Sequence, residues 1–243
     1  METTDFLKNN VSAICAAHGE FTGYEINIPG LSYAMKSKCP QCLKIAIDKR
    51  NGLENRARRD EVSRNISESG IPFRFRESSF TNYEPVIPQD KVRLVALVDY
   101  VANFEPKIAA NIYLFGGVGL GKTHLGCALA TSLIQKGFSA VYTNMITLLT
   151  DQKDVMNDKN VSSAEFIARY TTCHFLVIDE FGLSQFTEHE QTILHVVLNN
   201  RYERMLPTMI VGNINAGDMT NLVGERIERR IDSSLISITL GTA

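Results

Sequence analysis

The sequence has few of the features that mark secreted, membrane or fibrous proteins. No apolar run approaches the roughly 20 residues needed to cross a bilayer. The N-terminus, METTDFLKNN, has no basic segment followed by an apolar stretch, as a secretory signal would. Internal repeats and low-complexity tracts are also lacking. We therefore expect a cytoplasmic, globular protein that has no membrane partner.

Disulfide bonds are not expected either, because the cysteine count is low and odd. The chain has five cysteines, and without a secretory signal an odd number favours a reducing compartment over a disulfide framework. Cys127 and Cys173 lack partners at matched spacing and are predicted to be buried thiols. The other three, Cys15, Cys39 and Cys42, belong to a pattern typical of metal ligands.

Net charge gives no general indication of a polyanionic partner, but the charge is unevenly distributed. The formal charge of the whole chain is −2. Residues 36–76 contain 11 Lys and Arg against 5 Asp and Glu, a charge of +6, and the rest of the chain carries −8. A basic segment attached to an acidic body justifies a test for nucleic-acid contact.

The apolar pattern predicts an α/β fold for most of the chain. With 243 residues, 44% of them hydrophobic, there is room for one large domain, or for a medium domain and a small one. From about residue 90 onward, short apolar runs typical of buried strands alternate with helical patterns. The predicted strands are Ile112–Phe115, Ala140–Thr143, Phe175–Asp179, Met209–Gly212 and Leu235–Leu240. This alternation predicts a mostly parallel, five-stranded sheet covered by helices on both faces.

Local signals place several helices and divide the chain. Residues 90–103 have the apolar spacing of an amphipathic helix. Two capping boxes, Ser162 with Glu165 and Thr187 with Glu190, mark helix starts. We expect a small N-terminal domain at 1–50, a basic linker or helix at 51–78 and an α/β core at 79–243. The stretch 71–89 contains three prolines and is predicted to be a loop.

A phosphate-binding loop is the strongest motif. Residues 116–123 read GGVGLGKT and match G-x-x-x-x-G-K-[ST] at every fixed position. A predicted strand precedes the motif and a helical run follows it, which disfavours the alternative of a simple glycine-rich turn. Glycines let the backbone amides turn towards phosphate, and the helix N-terminus adds positive potential. The candidate ATP-binding residues are Gly116, Gly117, Val118, Gly119, Leu120, Gly121, Lys122, Thr123 and His124.

Residue chemistry assigns roles around this loop. Lys122 is predicted to meet the outer phosphates, and the Thr123 hydroxyl is predicted to bind Mg²⁺. The apolar strand HFLVIDE ends in Asp179, a second candidate Mg²⁺ ligand, and in Glu180, a candidate general base for an attacking water. Asn213 ends the next predicted strand, where its amide could orient that water, although Asn is also common in turns.

A cluster of arginines follows in the segment GERIERRI. Arg226 and Arg230 lie four residues apart and share a helix face, with Arg229 beside them. An arginine that enters a neighbouring subunit's nucleotide site would stabilise transition-state charge. Arg230 is the first candidate for this role and Arg226 the second, and a solvated basic face is the alternative.

The N-terminal cysteines predict a structural zinc site. Cys15 and His18 are separated by two residues, as are Cys39 and Cys42 in the segment CPQC. Two ligand pairs of this spacing suit tetrahedral Zn²⁺, and each pair could lie on a tight turn. A domain of about 45 residues has little core, so bound metal would supply folding energy. Unpaired thiols beside a chance histidine are the alternative.

Taken together, the residues from Phe115 to Ile231 resemble the core of the DnaC-type AAA+ replicative helicase loaders. The matching pieces are FGGVGLGKTHL, LVIDEFG, PTMIVGN and GERIERRI, and SGIP and SFTNY ahead of them resemble the family's lead-in. The zinc-type N-terminus is similar to that of phage and prophage members. The resemblance implies an AAA+ P-loop αβα core, ATP bound between subunits that self-assemble, and Mg²⁺ as the cation.

The resemblance also implies the partners. The N-terminal domain would bind the replicative hexameric DNA helicase, and the AAA+ part would assemble on single-stranded DNA, with an insert at 145–171 in contact with it. The sequence ends at Gly241-Thr-Ala, where related ATPases continue into a lid with a nucleotide-sensing arginine. Because the resemblance does not extend to that lid, it implies ATP hydrolysis that is weak or stimulated by a partner or DNA.

Two other functions remain open on the sequence. The IstB-like transposition ATPases share this core and would assist a transposase, although their N-terminus is not expected to carry the four-ligand pattern. A nucleotide-switched adaptor would bind ATP and barely hydrolyse it. Glu180 disfavours the adaptor, and the lid's absence favours it.

Overall fold

The computed structural model describes residues 8–26, 35–157, 163–182, 186–213, 224–232 and 234–241. The chain divides into two compact units, Met1–Glu61 and Val62–Ala243, here called the N-terminal unit and the core unit. No helix in the described part of the chain combines the length and apolar character that a membrane span requires.

The N-terminal unit contains a small antiparallel sheet and most of a long helix. Strands β1 (Lys8–Cys15) and β2 (Gly19–Ile26) pair along their full length, from Lys8 opposite Ile26 to Cys15 opposite Gly19. The short strand β3 (Met35–Lys36) pairs with β2. Helix α1 runs from Pro40 to Glu68, so the segment expected to be a solvated helix or linker is helical. Proline at the first helical position suits this early start, because its missing N–H would be unpaired there in any case.

The core unit alternates helices and strands in the predicted order. After a short 3₁₀ turn at Phe73–Phe75, the elements are α2 (Pro88–Ala102), β4 (Asn111–Gly116), α3 (Lys122–Gln135), β5 (Ala140–Asn144), α4 (Met145–Asn157), α5 (Ser163–Thr171), β6 (Phe175–Phe181), α6 (Glu188–Glu203), β7 (Thr208–Gly212), α7 (Glu225–Asp232) and β8 (Leu235–Leu240). All five predicted strands are present, as is the predicted helix near residues 90–103.

The five strands form one parallel sheet in the order β5-β6-β7-β4-β8. The predicted fold class is therefore confirmed. Strand β4, which leads into the phosphate loop, lies between β7 and β8, and β6 lies on the other side of β7. Because parallel strands end at the same edge, the segments that follow β4, β6 and β7 meet there. This topology brings the phosphate loop next to the acids that end β6.

Alternate strand residues build a separate core on each face of the sheet. On β4, Ile112 and Leu114 join one cluster with helix α3, whereas Tyr113 and Phe115 join the other with helices α5 and α6. All four side chains are buried. This alternation follows from the two-residue period of a strand. It confirms a sheet covered on both faces.

The two predicted capping boxes have different outcomes. At the start of α6, Glu190 N donates to the Thr187 hydroxyl, and the Glu190 carboxylate accepts from Thr187 N. This capping box is confirmed. Ser162, the first residue of the other box, lies outside the described residues. The buried thiols are also as predicted, since Cys127 and Cys173 are 0% and 5% exposed and neither forms a disulfide.

Candidate functional site

The phosphate loop has the backbone conformation that its glycines permit. Gly121, directly before helix α3, has a φ of +76°, and a Cβ there would lie 2.7 Å from a ring carbon of Tyr83. The Tyr83 hydroxyl donates a hydrogen bond to the carbonyl of Leu120 at 2.9 Å. Glycine is therefore required by both conformation and space at this position. Tyr83, from the predicted lead-in SFTNY, supports the loop from outside.

Lys122 lies over the loop that precedes it. Its Nζ donates to the carbonyl oxygens of Gly116 and Gly117 at 2.9 and 2.7 Å. Partial burial lowers the pKa of Lys122, and the negative charge of Asp179 opposes that change. The ammonium is thus held at the mouth of the loop, where phosphate oxygens could replace the two carbonyls.

Asp179 is a buried carboxylate with two donors. It is 4% exposed, and its Oδ2 accepts a hydrogen bond from the Tyr142 hydroxyl at 2.7 Å. Its Oδ1 accepts from the backbone N–H of Glu180, also at 2.7 Å. Burial and the adjacent carboxylate raise the pKa of Tyr142, which keeps that hydroxyl as a donor. The carboxylate is therefore fixed in orientation before any ligand binds.

Glu180 has an unusual backbone conformation for its residue type. Its φ is +56°, and the pairing of β6 with β7 shifts register between Ile178 and Phe181. A non-glycine residue in the left-handed region costs about 1–3 kcal/mol, and such residues concentrate at functional sites. The shift leaves Asp179 buried and Glu180 exposed. Two adjacent acids thus take different environments.

One cleft brings most of the predicted nucleotide-site residues together. It has a volume of about 450 Å³. Its lining residues are Arg74, Phe75, Val118, Gly119, Leu120, Gly121, Lys122, Thr123, His124, Asp179, Glu180, Gly212 and Asn213. A hydroxyl at Thr123 and a carboxylate at Asp179 are oxygen ligands that suit Mg²⁺. The loop, both acids and Asn213 therefore share one site, although their individual roles stay predictions.

His124, predicted to bind nucleotide, lies at the side of this cleft. Its Nε2 is 2.9 Å from the carbonyl oxygen of Ser79, and its ring lies 5.8 Å from that of Tyr83. The side chain thus also ties the start of helix α3 to the lead-in segment. A contact with nucleotide remains a prediction.

The described side chains of the arginine cluster, Arg229 and Arg230, are not among the described residues that line this cleft. Arg230 on α7 approaches helix α6, with Nη1 3.3 Å from Nε2 of His195 and the guanidinium 5.8 Å from the Tyr202 ring centroid. Arg229 pairs with Glu225 at 3.0 Å in an exposed ion pair. The side chain of Arg226 lies outside what the structure describes. Among the described residues that line the nucleotide cleft, none comes from this helix.

Sequence reasoning missed three residues of the site. Tyr142 holds Asp179 from the neighbouring strand, and a tyrosine in a strand carries no signal of that role. Arg74 and Phe75 line the cleft from the 3₁₀ turn. Their segment was expected to be a loop, and the only signal near it was the pair of flanking pieces, SGIP and SFTNY, that resemble a family lead-in.

The predicted zinc ligands meet in the N-terminal unit. The ligand atoms of Cys15, His18, Cys39 and Cys42 all lie within 4.8 Å of one another. Nδ1 of His18 is 3.6, 3.7 and 3.2 Å from the three sulfurs in chain order, and the sulfurs of Cys15 and Cys42 are 3.6 Å apart. Tetrahedral zinc with Zn–S of about 2.3 Å and Zn–N of about 2.0–2.1 Å places ligand atoms about 3.5–3.8 Å apart. The donor set and its spacing fit structural zinc.

Two local structures bring these ligands together. Cys15 ends β1, and His18 lies in the turn before β2, where Gly19 has a φ of +75°. The second pair was expected on a tight turn, but Cys42 lies in the first turn of helix α1, where Leu43 N donates to Cys39 O. The backbone amide of Ala17, together with His18, lowers the pKa of Cys15 to about 6. The hydrogen bond with Cys15 raises the pKa of Cys42 to about 11, so the two thiols shift in opposite directions without metal.

Comparison with known proteins gives one family match. A family model described as "IstB-like ATP binding protein" matches residues 45–227. Replicative helicase loader DnaC of Escherichia coli K12 is 28% identical over 179 residues, which cover 74% of this chain and 73% of the relative. Uncharacterized protein YdaV of the same strain is 27% identical over 179 residues, covering 74% and 71%.

Solved structures agree on the fold over 70% of the chain. The crystal structure of the DnaC helicase loader matches with a TM-score of 0.64 at 20% identity, covering 70% of this chain and 99% of that one. The crystal structure of DnaI matches with a TM-score of 0.62 at 20% identity, covering 70% and 94%. These matches support the fold and no more.

Proposed function

The chain belongs to the IstB-like ATP-binding family, and on that premise we propose that it is an ATP-dependent loader that delivers the replicative DNA helicase onto single-stranded DNA. One observation carries the proposal. Four relatives that match over 179 residues at 28% identity are all named replicative helicase loaders, and the match covers about three quarters of each chain. The family model spans residues 45–227 and so includes every described residue that lines the nucleotide cleft.

The cleft supplies the groups that ATP hydrolysis needs. Lys122 would neutralise the outer phosphates, and Thr123 and Asp179 would hold Mg²⁺, which neutralises charge on the β- and γ-phosphates when bound. Glu180 is exposed beside the buried Asp179, so it is free to accept a proton from water. Asn213 lines the same cleft and would orient that water.

The N-terminal unit, which carries the candidate zinc site, is assigned to binding of the replicative helicase. The four ligand atoms fit one Zn²⁺, which would stabilise the fold of the N-terminal unit. We assign helicase binding to this unit on the resemblance of the chain to phage-type loaders, because the nucleotide chemistry belongs to the core unit. Binding of single-stranded DNA is assigned to the core unit, also on the resemblance of the chain to these loaders.

We propose self-assembly through the core unit. Arg230 lies outside its own nucleotide cleft, on the α6–α7 side, where it borders a cavity of about 170 Å³ together with Lys107 and Arg201. The resemblance to the loader family implies that assembly would bring such an arginine to a neighbour's nucleotide site, where it would stabilise transition-state charge. Hydrolysis would then depend on assembly, so we expect it to be weak for the isolated chain and stimulated by DNA and helicase in the cytoplasm.

A loading assay tests the proposal. The full chain is mixed with ATP, single-stranded DNA and the replicative helicase of the same cells, and DNA-bound helicase and ATP turnover are both measured. We expect loading that requires ATP, and turnover that rises when DNA and helicase are present. Loading that is the same with and without this chain would refute the proposal.

The family description favours a second candidate, a transposition helper ATPase. The matching family model is named for IstB, and such a protein would act with a transposase. The two functions predict different partners. Stimulation of ATP turnover by transposase and duplex DNA, with no response to helicase, would select the second. ATP binding with negligible turnover in every mixture would instead select a nucleotide-switched adaptor.

A further inference from the structure

We propose that Arg74 is a second cation of the nucleotide cleft and binds the terminal phosphate of ATP held in its own subunit. This inference rests on the proposed ATP-binding function. Arg74 lies in the segment SGIPFRFR, which the nucleotide chemistry otherwise leaves without a role.

The chain fixes the position of this segment by three anchors. Tyr142 N, on the edge strand β5, donates to the carbonyl of Ser69 at 2.7 Å. Ile71 then enters the core cluster under helix α3 and is 2% exposed. Ser78, just after the turn, is also buried. Tyr142 is the residue whose hydroxyl holds Asp179, so the lead-in is attached directly beside the acids of the site.

Between these anchors the chain makes a hydrogen-bonded turn. Phe75 N donates to Pro72 O at 2.8 Å, and Ser78 N donates to Phe75 O at 3.1 Å. The Phe75 side chain is half-buried and packs against the same core cluster. The backbone of Arg74 is therefore held in place while its side chain remains exposed.

Arg74 faces the catalytic end of the cleft. It lines the same cavity as Lys122, Thr123, Asp179 and Glu180. A separate, smaller cavity of about 220 Å³ borders Tyr83, Gly119, Leu120, Gly121 and His124, and none of Lys122, Asp179, Glu180 and Arg74 is among its described lining residues. The Arg74 guanidinium is therefore expected to contact the terminal phosphate of bound ATP.

The balance of charges in the cleft favours a phosphate-binding role for Arg74. The described residues that line the cleft include one lysine, Lys122, and one arginine, Arg74. They also include two carboxylates, Asp179 and Glu180. A nucleoside triphosphate brings further negative charge, only part of which a divalent cation removes. A guanidinium presents paired N–H donors that match phosphate oxygens, so it suits this remaining charge.

Arg76 provides a matched control. It lies two residues further along the same segment, and its guanidinium is 5.5 Å from the centroid of the exposed Phe73 ring. Arg74 instead lies 5.9 Å from the ring centroid of Phe75, which borders the cleft. The two arginines carry the same charge on the same turn, but of the two only Arg74 is among the described residues lining the cleft.

The test compares nucleotides that differ in the terminal phosphate. Full-length chains carrying Arg74→Ala, Arg74→Lys or Arg76→Ala are titrated with β,γ-methylene-ATP and with ADP in the presence of Mg²⁺. One charge-assisted contact at an exposed site predicts about a tenfold loss of affinity for the triphosphate in Arg74→Ala. We expect a loss of less than about threefold for ADP, an intermediate result for Arg74→Lys and no change for Arg76→Ala.

Each other outcome has a definite meaning. Triphosphate affinity that is unchanged in Arg74→Ala overturns the inference and leaves the proposed function intact. Equal losses for both nucleotides, or an equal loss in Arg76→Ala, overturn the assignment to the terminal phosphate. A parent chain that binds neither nucleotide overturns the proposed function itself. Thermal unfolding midpoints that match the parent verify that each variant is folded.

Discussion

Tyr142→Phe tests whether the site depends on a carboxylate that is held in place before ligand binding. The substitution removes the hydroxyl that donates to Asp179 Oδ2 at 2.7 Å and leaves the ring in place. Asp179 is 4% exposed, so water cannot fully replace the lost donor. A hydrogen bond to a charged group contributes about 1.5–3 kcal/mol. For a unit that spans Val62–Ala243, this corresponds to a fall of about 3–12 °C in the unfolding midpoint.

A second tyrosine supplies the control. The Tyr100 hydroxyl donates to a neutral acceptor, the carbonyl of Ala110, at 2.7 Å. Tyr100→Phe should therefore cost only about 0.5–1.5 kcal/mol. Repeating Tyr142→Phe in an Asp179→Asn background should reduce its cost by about 0.5–3 kcal/mol, the coupling between the two side chains.

The assay is thermal and urea unfolding of the full chain without nucleotide, followed by measurement of Mg²⁺-dependent ATP affinity. The fall in stability should be accompanied by weaker affinity, because Asp179 would no longer be held in one orientation. If Tyr142→Phe costs no more than Tyr100→Phe, and the effect is the same in the Asp179→Asn background, the argument for a preset carboxylate fails.

Three further predictions concern the remaining site residues. Glu180→Gln should keep ATP bound and stop turnover, because an amide does not accept the proton from water; normal turnover would remove Glu180 from its role. The purified, reduced chain should contain one Zn²⁺, and Cys42→Ser or a strong chelator should unfold the N-terminal unit; metal analysis that finds no zinc contradicts this. Arg230→Ala should bind ATP normally, lose turnover by about 10³-fold or more, and regain part of it when mixed with Lys122→Ala; full activity of Arg230→Ala alone would exclude its action in trans.

The sheet could be predicted because its signal is local. In each central strand a short apolar run is followed by a glycine, in β4 and β7, or by two acids, in β6. The phosphate loop marks the connection between β4 and helix α3. Helix α1 was harder, since Pro40 is compatible with a turn as well as with a first helical position. Its lack of buried residues left no apolar stripe to mark its true start.

The contacts that the sequence did not reveal are between residues far apart in the chain. Tyr142 and Asp179 are 37 residues apart and meet only because β5 and β6 pair. Arg201 is 1% exposed, and its guanidinium donates to Thr208 and to the carbonyls of Tyr170 and Cys173. An arginine near a helix end ordinarily indicates solvent exposure. Both the Tyr142–Asp179 hydrogen bond and the burial of Arg201 depend on tertiary contacts, which local sequence patterns do not reveal.

The most direct test of ATP-driven helicase loading compares the parent chain with Lys122→Ala on single-stranded DNA. The measurement is the amount of replicative helicase bound to the DNA, with ATP and in its absence. We predict ATP-dependent loading by the parent and none by Lys122→Ala, whose unfolding midpoint should match that of the parent because the loop contributes little to the core. Equal loading by the two chains would contradict the account, since it would separate loading from the nucleotide cleft.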